Sequence, residues 1–407
     1  MNIPVFTLPN GIRVVHLPSE GKISHCGIFF NAGTRDEHEE EQGIAHFIEH
    51  MIFKGTQKRN LFQIINRLEN VGADLDAFTT KEETCIYATF LNEYFGRTLE
   101  LFSDICFHST FPEDELTKEK VVVIDEIRSY QDTPSEQIFD DFEDQIFHGH
   151  PLGRNILGTP ATVKKFNSKS IREFIKRNYT PDQIVICSVG NISINKFNLL
   201  AQKFFSEISA GSREEKRSLF TAYQPSVVTR KKKIFQSHCI IGTTGYSFQE
   251  EKRYVLAFLN NILGGPMLSS RLSIALREKN GLTYQIESSF TPYSDTGIFT
   301  LYFGTDKKNL EKALELVEKE CLKLRTRKLS IAQLKIAKTQ LIGQLAIAQE
   351  SKVSRMLAIG RSFLMTGHYI SIDEIIPMVE SITADQLIET ANEILAPERL
   401  SRLIFQS

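Results

Sequence analysis

The chain states its main pattern twice, and that repetition limits the folds open to it. SHCGIFFNAG (24–33) recurs as SHCIIGTTG (237–245), and the stretch 61–106 recurs in outline as 268–321. Each copy runs as a helix, a glycine turn, two strands of alternating polarity and a long amphipathic helix. Leu68 and Gly72 mark the helix end in the first copy, and Leu276 and Gly281 mark it in the second, glycine being the usual helix terminator. With 407 residues the chain is too long for one ordinary domain. The expected fold is therefore α+β, two homologous domains, each a mainly antiparallel sheet packed with helices. The polar stretch 209–226, with its Gly, Ser and Pro, is the expected linker between domains 1–208 and 227–407.

Duplication also separates chemistry from scaffold. HFIEHMIFKGT (46–56) sets two histidines and a glutamate among Ile44, Ala45, Phe47, Ile48, Met51, Ile52 and Phe53. Ionisable groups in so apolar a segment cost free energy unless something pairs with them. The matching stretch of the second copy, LAFLNNILGG (256–265), has Leu256, Leu259 and Asn260 opposite His46, Glu49 and His50. The scaffold accepts apolar residues there, so the ionisable trio needs its own reason. At i, i+3 and i+4 the three share one helical face. Two imidazoles a turn apart can reach a Zn²⁺, and a carboxylate beside them can take a proton from water. The order His-x-x-Glu-His inverts the commoner zinc-peptidase motif. The rival reading is a structural histidine pair in a core.

A catalytic zinc usually takes three protein ligands. EKVVVIDEIRSYQ (119–131) offers the third. Glu119 and Glu126 stand two helical turns apart on one face, while Val121 to Ile124 between them call for burial. Glu126 is the expected ligand, and Glu119 the carboxylate that orients a ligand histidine. A solvated helix face is the competing reading of Glu119. Asp125 points about 100° away and is expected at the surface. His148 and His150, in a spacing that could bind a metal, lie in a Gly/Pro-rich turn and follow three ligands already found, whereas the equivalent places of His25 and His238 in the two copies argue for scaffold. The six cysteines show no CxxC spacing and are expected as free buried thiols in a reducing compartment. A formal charge of -2 gives no reason to expect nucleic acid or an anionic membrane as partner. The N-terminus shows no secretory signal pattern, and no apolar run approaches a membrane span, so a cytoplasmic protein is expected.

Taken together, HFIEHMIFKGT and the distal EKVVVIDE make the chain resemble the pitrilysin/insulinase family of inverted-motif zinc peptidases, and in particular the short bacterial relatives of the mitochondrial processing peptidase β subunit. NGIRVV, NAGTRDE, HPLGRNILGT and YTPDQIVICSVGNI follow in family order, so the resemblance covers nearly the whole chain. It implies a zinc endopeptidase acting on unfolded peptides or presequence-like segments, with His46, His50 and Glu126 as ligands and Glu49 as general base. In the second copy, SSRLSIALREKNGLTY implies that Arg277 and Tyr284 contact the substrate or its oxyanion; alone, they read as a helix-end charge and a core aromatic. ADLDAFTTKEET (73–84) alternates as an edge strand does, so Asp76, Ala77 and Phe78 are the expected substrate-binding residues, an extended peptide adding as a further strand. The family usually has Asn-Ala where Asp76-Ala77 stands here, a departure that points toward basic peptides. Relatives of this length pair around a closed chamber, which implies a homodimer and leaves open whether Arg277 and Tyr284 serve the partner's zinc. The family also holds members that lost the site, so a non-catalytic or half-enzyme subunit is the alternative.

Overall fold

A computed structural model describes residues 3–406. The chain divides into two compact units. The first is built on a six-stranded sheet of order β1-β2-β6-β3-β5-β4, from β1 (Val5–Thr7), β2 (Arg13–Pro18), β3 (Ile23–Phe30), β4 (Asp74–Thr79), β5 (Thr84–Leu91) and β6 (Ile184–Gly190). The second carries a five-stranded sheet of order β7-β11-β8-β10-β9, from β7 (Val227–Lys231), β8 (Ser237–Gly245), β9 (Ile286–Pro292), β10 (Gly297–Thr305) and β11 (Ser401–Gln406). Apart from β1, the two orders correspond strand for strand. One pair in each sheet, β2 with β6 and β7 with β11, is parallel, and the rest are antiparallel. The repeat seen in the sequence is thus a repeat of sheet topology. The equivalent histidines behave alike as well: His25 Nδ1 bonds Thr89 Oγ1 on β5 at 2.9 Å, and His238 Nδ1 bonds the Tyr302 hydroxyl on β10 at 2.8 Å.

The units do not follow the expected bounds 1–208 and 227–407. Ser129–Gly153 belongs to the second unit and Ile347–Ile370 to the first. The helix Pro134–Ile146 packs on β8 and β11, and the helix Lys352–Thr366 packs on β3 and β6. The latter buries Met356, Ile359, Phe363 and Leu364 against Phe29, Val185 and Cys187, each such side chain contributing roughly 1.5–3 kcal/mol at most. A Cβ on Gly360 would meet the Phe29 ring at 2.2 Å, so only glycine allows the helix to lie this close. Nor is 209–226 a loose connector. Arg217 reaches Asp36 with Nε and Nη2, both at 2.8 Å, and donates to the Glu82 carbonyl at 2.8 Å, while Arg213 also pairs with Asp36. Burial opposes the Asp36 charge, but Arg217 and then Arg213 outweigh it and hold the carboxyl below its ordinary value. Within this stretch the first unit keeps the chain to Ser218, and the chain passes back to the second at Leu219.

The helix ends fall as the glycines suggest. After Leu61–Glu69, Gly72 takes φ +68°, with Ala73 N–H donating to Leu68 C=O at 3.1 Å and Gly72 N–H to Glu69 C=O at 2.9 Å. All six cysteines are free and buried. Among the described residues, no helix is long and apolar enough to cross a membrane.

Candidate metal centre

The motif forms the helix Ile44–Met51, whose Ile44, Ala45, Phe47, Ile48 and Met51 enter the core of the first unit. Eight residues make a marginal helix, and this one is held at its start. The Glu37 carboxylate accepts from Gly43 N–H and Ala45 N–H, both at 2.9 Å, and it is itself buried. Those bonds satisfy two of the helix's free amides, while burial pushes the Glu37 carboxyl well above its ordinary value. Glu37 was not singled out from the sequence; the signal available was an acidic residue closing NAGTRDE a few residues before the helix.

The opposite wall is the helix Glu113–Gln131. Its seven-residue spacing brings both glutamates to the motif helix. Glu126 Oε2 lies 3.6 Å from His50 Nε2 and 3.8 Å from His46 Nε2. Candidate ligand atoms of His46, His50 and Glu126 lie within 4.8 Å of one another, and they form the one such group of three found among the described residues. Glu119, 5% exposed, takes its place beneath them, which removes the solvated-face reading. Its Oε1 meets His50 Nδ1 at 2.7 Å and its Oε2 meets Lys54 Nζ at 2.6 Å. That contact turns His50 Nε2 toward Glu126. Lys54, which the sequence reading passed over, keeps the buried Glu119 ionised. Asp125 is exposed and pairs with Arg128 at 2.9 Å. Val121 and Val122 depart from expectation, remaining 60% and 50% exposed. Successive helical residues turn by about 100°, so one face reaches the core, and here it carries Val123, Ile124 and Ile127.

The environment sorts the titrating groups. Burial, then the neighbouring His50, pulls His46 down to about 3, so its imidazole is neutral, the form that binds metal. Burial also disfavours charge on His50, but Glu119, then Glu126 and Glu49, outweigh it and raise its pKa. Burial works against charge on Glu119 too, yet His50 and Lys54 bring it down. Glu49 is raised, chiefly by burial, and its Oε2 is buried with no hydrogen-bond partner.

Beside Glu49 and His50 the pocket continues over Phe53, Leu61, Ile65 and Leu75 to Asp76 and Ala77. Asp76, Ala77 and Phe78 lie on β4, the edge strand, which pairs with β5 alone. Asp76 Oδ2 accepts from the Tyr87 hydroxyl at 2.7 Å, and Oδ1 from Ala77 N–H at 2.8 Å. Arg277 and Tyr284 are in the second unit. The Arg277 guanidinium lies over the Tyr284 ring at 5.1 Å, and Tyr284 is 82% exposed rather than a core aromatic. Arg277 sits in a stretch of π-helix, Ser273–Glu278, with Lys279 N–H donating to Ile274 C=O at 3.0 Å.

Residues 13–160 match the family model described as insulinase (peptidase family M16), and 165–341 match that of the peptidase M16 inactive domain. The chain belongs to the M16 family. It is 35% identical to the uncharacterized zinc protease YmxG of Bacillus subtilis, covering 99% of this chain and 98% of that one. An uncharacterized zinc protease of Rickettsia felis is 33% identical over 99% of this chain and 97% of its own. The fold matches a crystal structure of a peptidase M16 inactive domain from Pseudomonas fluorescens at TM-score 0.90 and 20% identity, covering 100% of this chain and 99% of that one. A protease from Helicobacter pylori gives TM-score 0.90 at 21% identity, covering 99% of both chains. This M16 chain is accordingly a zinc metallopeptidase. The donor set fits the metal: two imidazole nitrogens and a carboxylate oxygen are the ligands of a catalytic zinc with one position left over. Donors about 2.0–2.1 Å from a tetrahedral ion lie about 3.4 Å apart, close to the separations from Glu126 to both histidines.

Proposed function

We propose that the chain is a zinc-dependent endopeptidase hydrolysing unfolded peptides or presequence-like segments. The observation that carries this reading is the convergence of His46, His50 and Glu126 within 4.8 Å, with Glu49, whose Oε2 is buried without a hydrogen-bond partner, on the same helical face. His46, His50 and Glu126 would hold the ion. Zinc, when bound there, supplies a Lewis acid that polarises a carbonyl and acidifies water. Glu49 takes the proton of the attacking water and delivers it to the leaving amine nitrogen. Glu119 holds the His50 ring in orientation through Nδ1. The unpaired edge of β4 offers main-chain N–H and C=O groups to an extended substrate, which favours unfolded chain and demands little of its sequence. Asp76, pinned by Tyr87, adds negative charge beside that strand and favours basic residues.

The test is metal removal. Chelator should abolish cleavage of an unstructured fluorogenic peptide, and stoichiometric Zn²⁺ should restore it. Cleavage that survives complete zinc removal would overturn the reading. A homodimer enclosing the substrate in a chamber belongs to the same proposal, and a light-scattering mass of one chain would remove that part. Arg277 and Tyr284 enter as donors to the oxyanion and substrate backbone. Tyr284→Phe should lower kcat about 10–10³-fold with KM little changed, an oxyanion donor acting mainly in the transition state. Unchanged kcat in that variant would take Tyr284 out of the chemistry.

A further inference from the structure

The second unit contains a pocket of about 180 Å³ that belongs to none of the chemistry above. It lies where the helix Lys252–Gly264, the turn after Gly265 and the helix Ile331–Glu350 meet. Its polar lining includes Ser269, Ser270, Arg271, Gln333, Gln340 and Gln344, and no carboxylate is among its lining residues. We propose that this pocket binds a small oxyanion, a carboxylate or a phosphate group, on Arg271.

Three observations carry it. First, Arg271 is half-buried and makes no hydrogen bond or ion pair within the described structure; the one acidic group acting on it, Glu320, is bonded to Lys323 at 2.5 Å. A desolvated guanidinium with no counter-ion is unfavourable, and its five donors in a planar fork match a carboxylate or phosphate. Burial lowers its pKa, the direction expected of a cation short of an anion. Second, Ser270 is 4% exposed and its Oγ has no hydrogen-bond partner, although it lines the cavity. Third, Gln344 Nε2 is likewise buried and unpartnered. Buried donors left unpaired cost about 1–3 kcal/mol each, and natural proteins carry few of them. A cation and two idle donor-bearing groups around one cavity have a common acceptor as their simplest complement. The volume holds several waters at about 30 Å³ each, which is room for one such group. This inference concerns the second unit alone and does not depend on the peptidase reading.

Isothermal titration of the full chain tests it, with inorganic phosphate against chloride at matched ionic strength, and with a short acetylated peptide bearing a free C-terminal carboxylate against its amide. Saturable binding of phosphate, of the peptide acid but not the amide, or of both is expected, and the arm that responds identifies the source of the anion. Arg271→Gln should weaken that binding at least tenfold and Ser270→Ala by a smaller factor, with far-UV circular dichroism showing both folded. Should Arg271→Gln not fold, the fall in Ser270→Ala decides. Absence of saturable binding by the natural chain, acid and amide binding equally without phosphate binding, or a folded Arg271→Gln that binds as tightly as the natural chain would each overturn the assignment.

Discussion

Glu49→Gln is expected to lower kcat/KM for an unstructured peptide by about 10²–10⁴-fold, the usual contribution of a positioned general base, while leaving zinc content at one per chain. The amide keeps the size and planarity of the carboxylate but cannot accept a proton. It also leaves His46, His50 and Glu126 in place, since Glu49 makes no hydrogen bond to any of them. Folding stability should be unchanged or slightly higher. Glu49 Oε2 is buried without a partner, and burial is the leading cause of its raised pKa, so the native fold carries the charge at some cost. Zinc by atomic absorption, peptide cleavage and thermal melting of the same preparation make the comparison. Loss of zinc together with activity would show Glu49 acting as a ligand, and full activity with zinc retained would remove it from proton transfer.

Much of this was legible because the chain carries its own control. Comparing the copies isolated His46, Glu49 and His50 as residues the scaffold does not need, and the seven-residue spacing of Glu119 and Glu126 placed both on the face that meets the motif helix. Gly72 and the alternation of 73–84 located a helix end and an edge strand because backbone conformation and side-chain period are local properties. What escaped was nonlocal. The helices Pro134–Ile146 and Lys352–Thr366 each bury one apolar face, but such a face does not say which sheet will cover it, and the two pack in the opposite units from their halves of the sequence. Arg213 and Arg217 sat in a stretch whose polar composition suggests a linker; their pairing with the buried Asp36 depends on chain more than 170 residues away. Glu37 and Lys54 were passed over for a similar reason. A carboxylate capping a helix from outside it, or a lysine keeping a buried glutamate ionised, leaves no periodic trace. Val121 and Val122 erred the other way: four apolar residues in a row suggest burial of all four, whereas a helix turns two of them outward.

His46→Leu is expected to abolish zinc binding and peptidase activity together while making the metal-free protein no less stable, and this pairing of effects is the sharper test of the centre. The second copy supplies the reason. Leu256, opposite His46 in the repeat, is fully buried in the helix Lys252–Gly264, which packs on β9 as the motif helix packs on β4. The fold therefore accepts leucine at this place. Histidine is the costly choice: its Nδ1 is buried without a partner, a loss of about 1–3 kcal/mol, and leucine removes it. Without metal, the variant should melt at or above the natural chain, by about 2–4 °C for each kcal/mol recovered. Added zinc should reverse the order. The natural chain gains RT ln(1 + [Zn²⁺]/Kd), about 4 kcal/mol at a thousandfold excess over Kd, and the variant, left with one imidazole and one carboxylate, gains little. A crossing of the two melting temperatures between chelator and zinc is thus the expected result. A variant less stable than the natural chain even in chelator would show His46 holding the core together, and equal stabilisation of both by zinc would place the metal elsewhere. The crossing also states why the two copies differ: the first gives up packing free energy at His46 that it recovers when the ion binds, and the second, with no ion to hold, keeps the leucine.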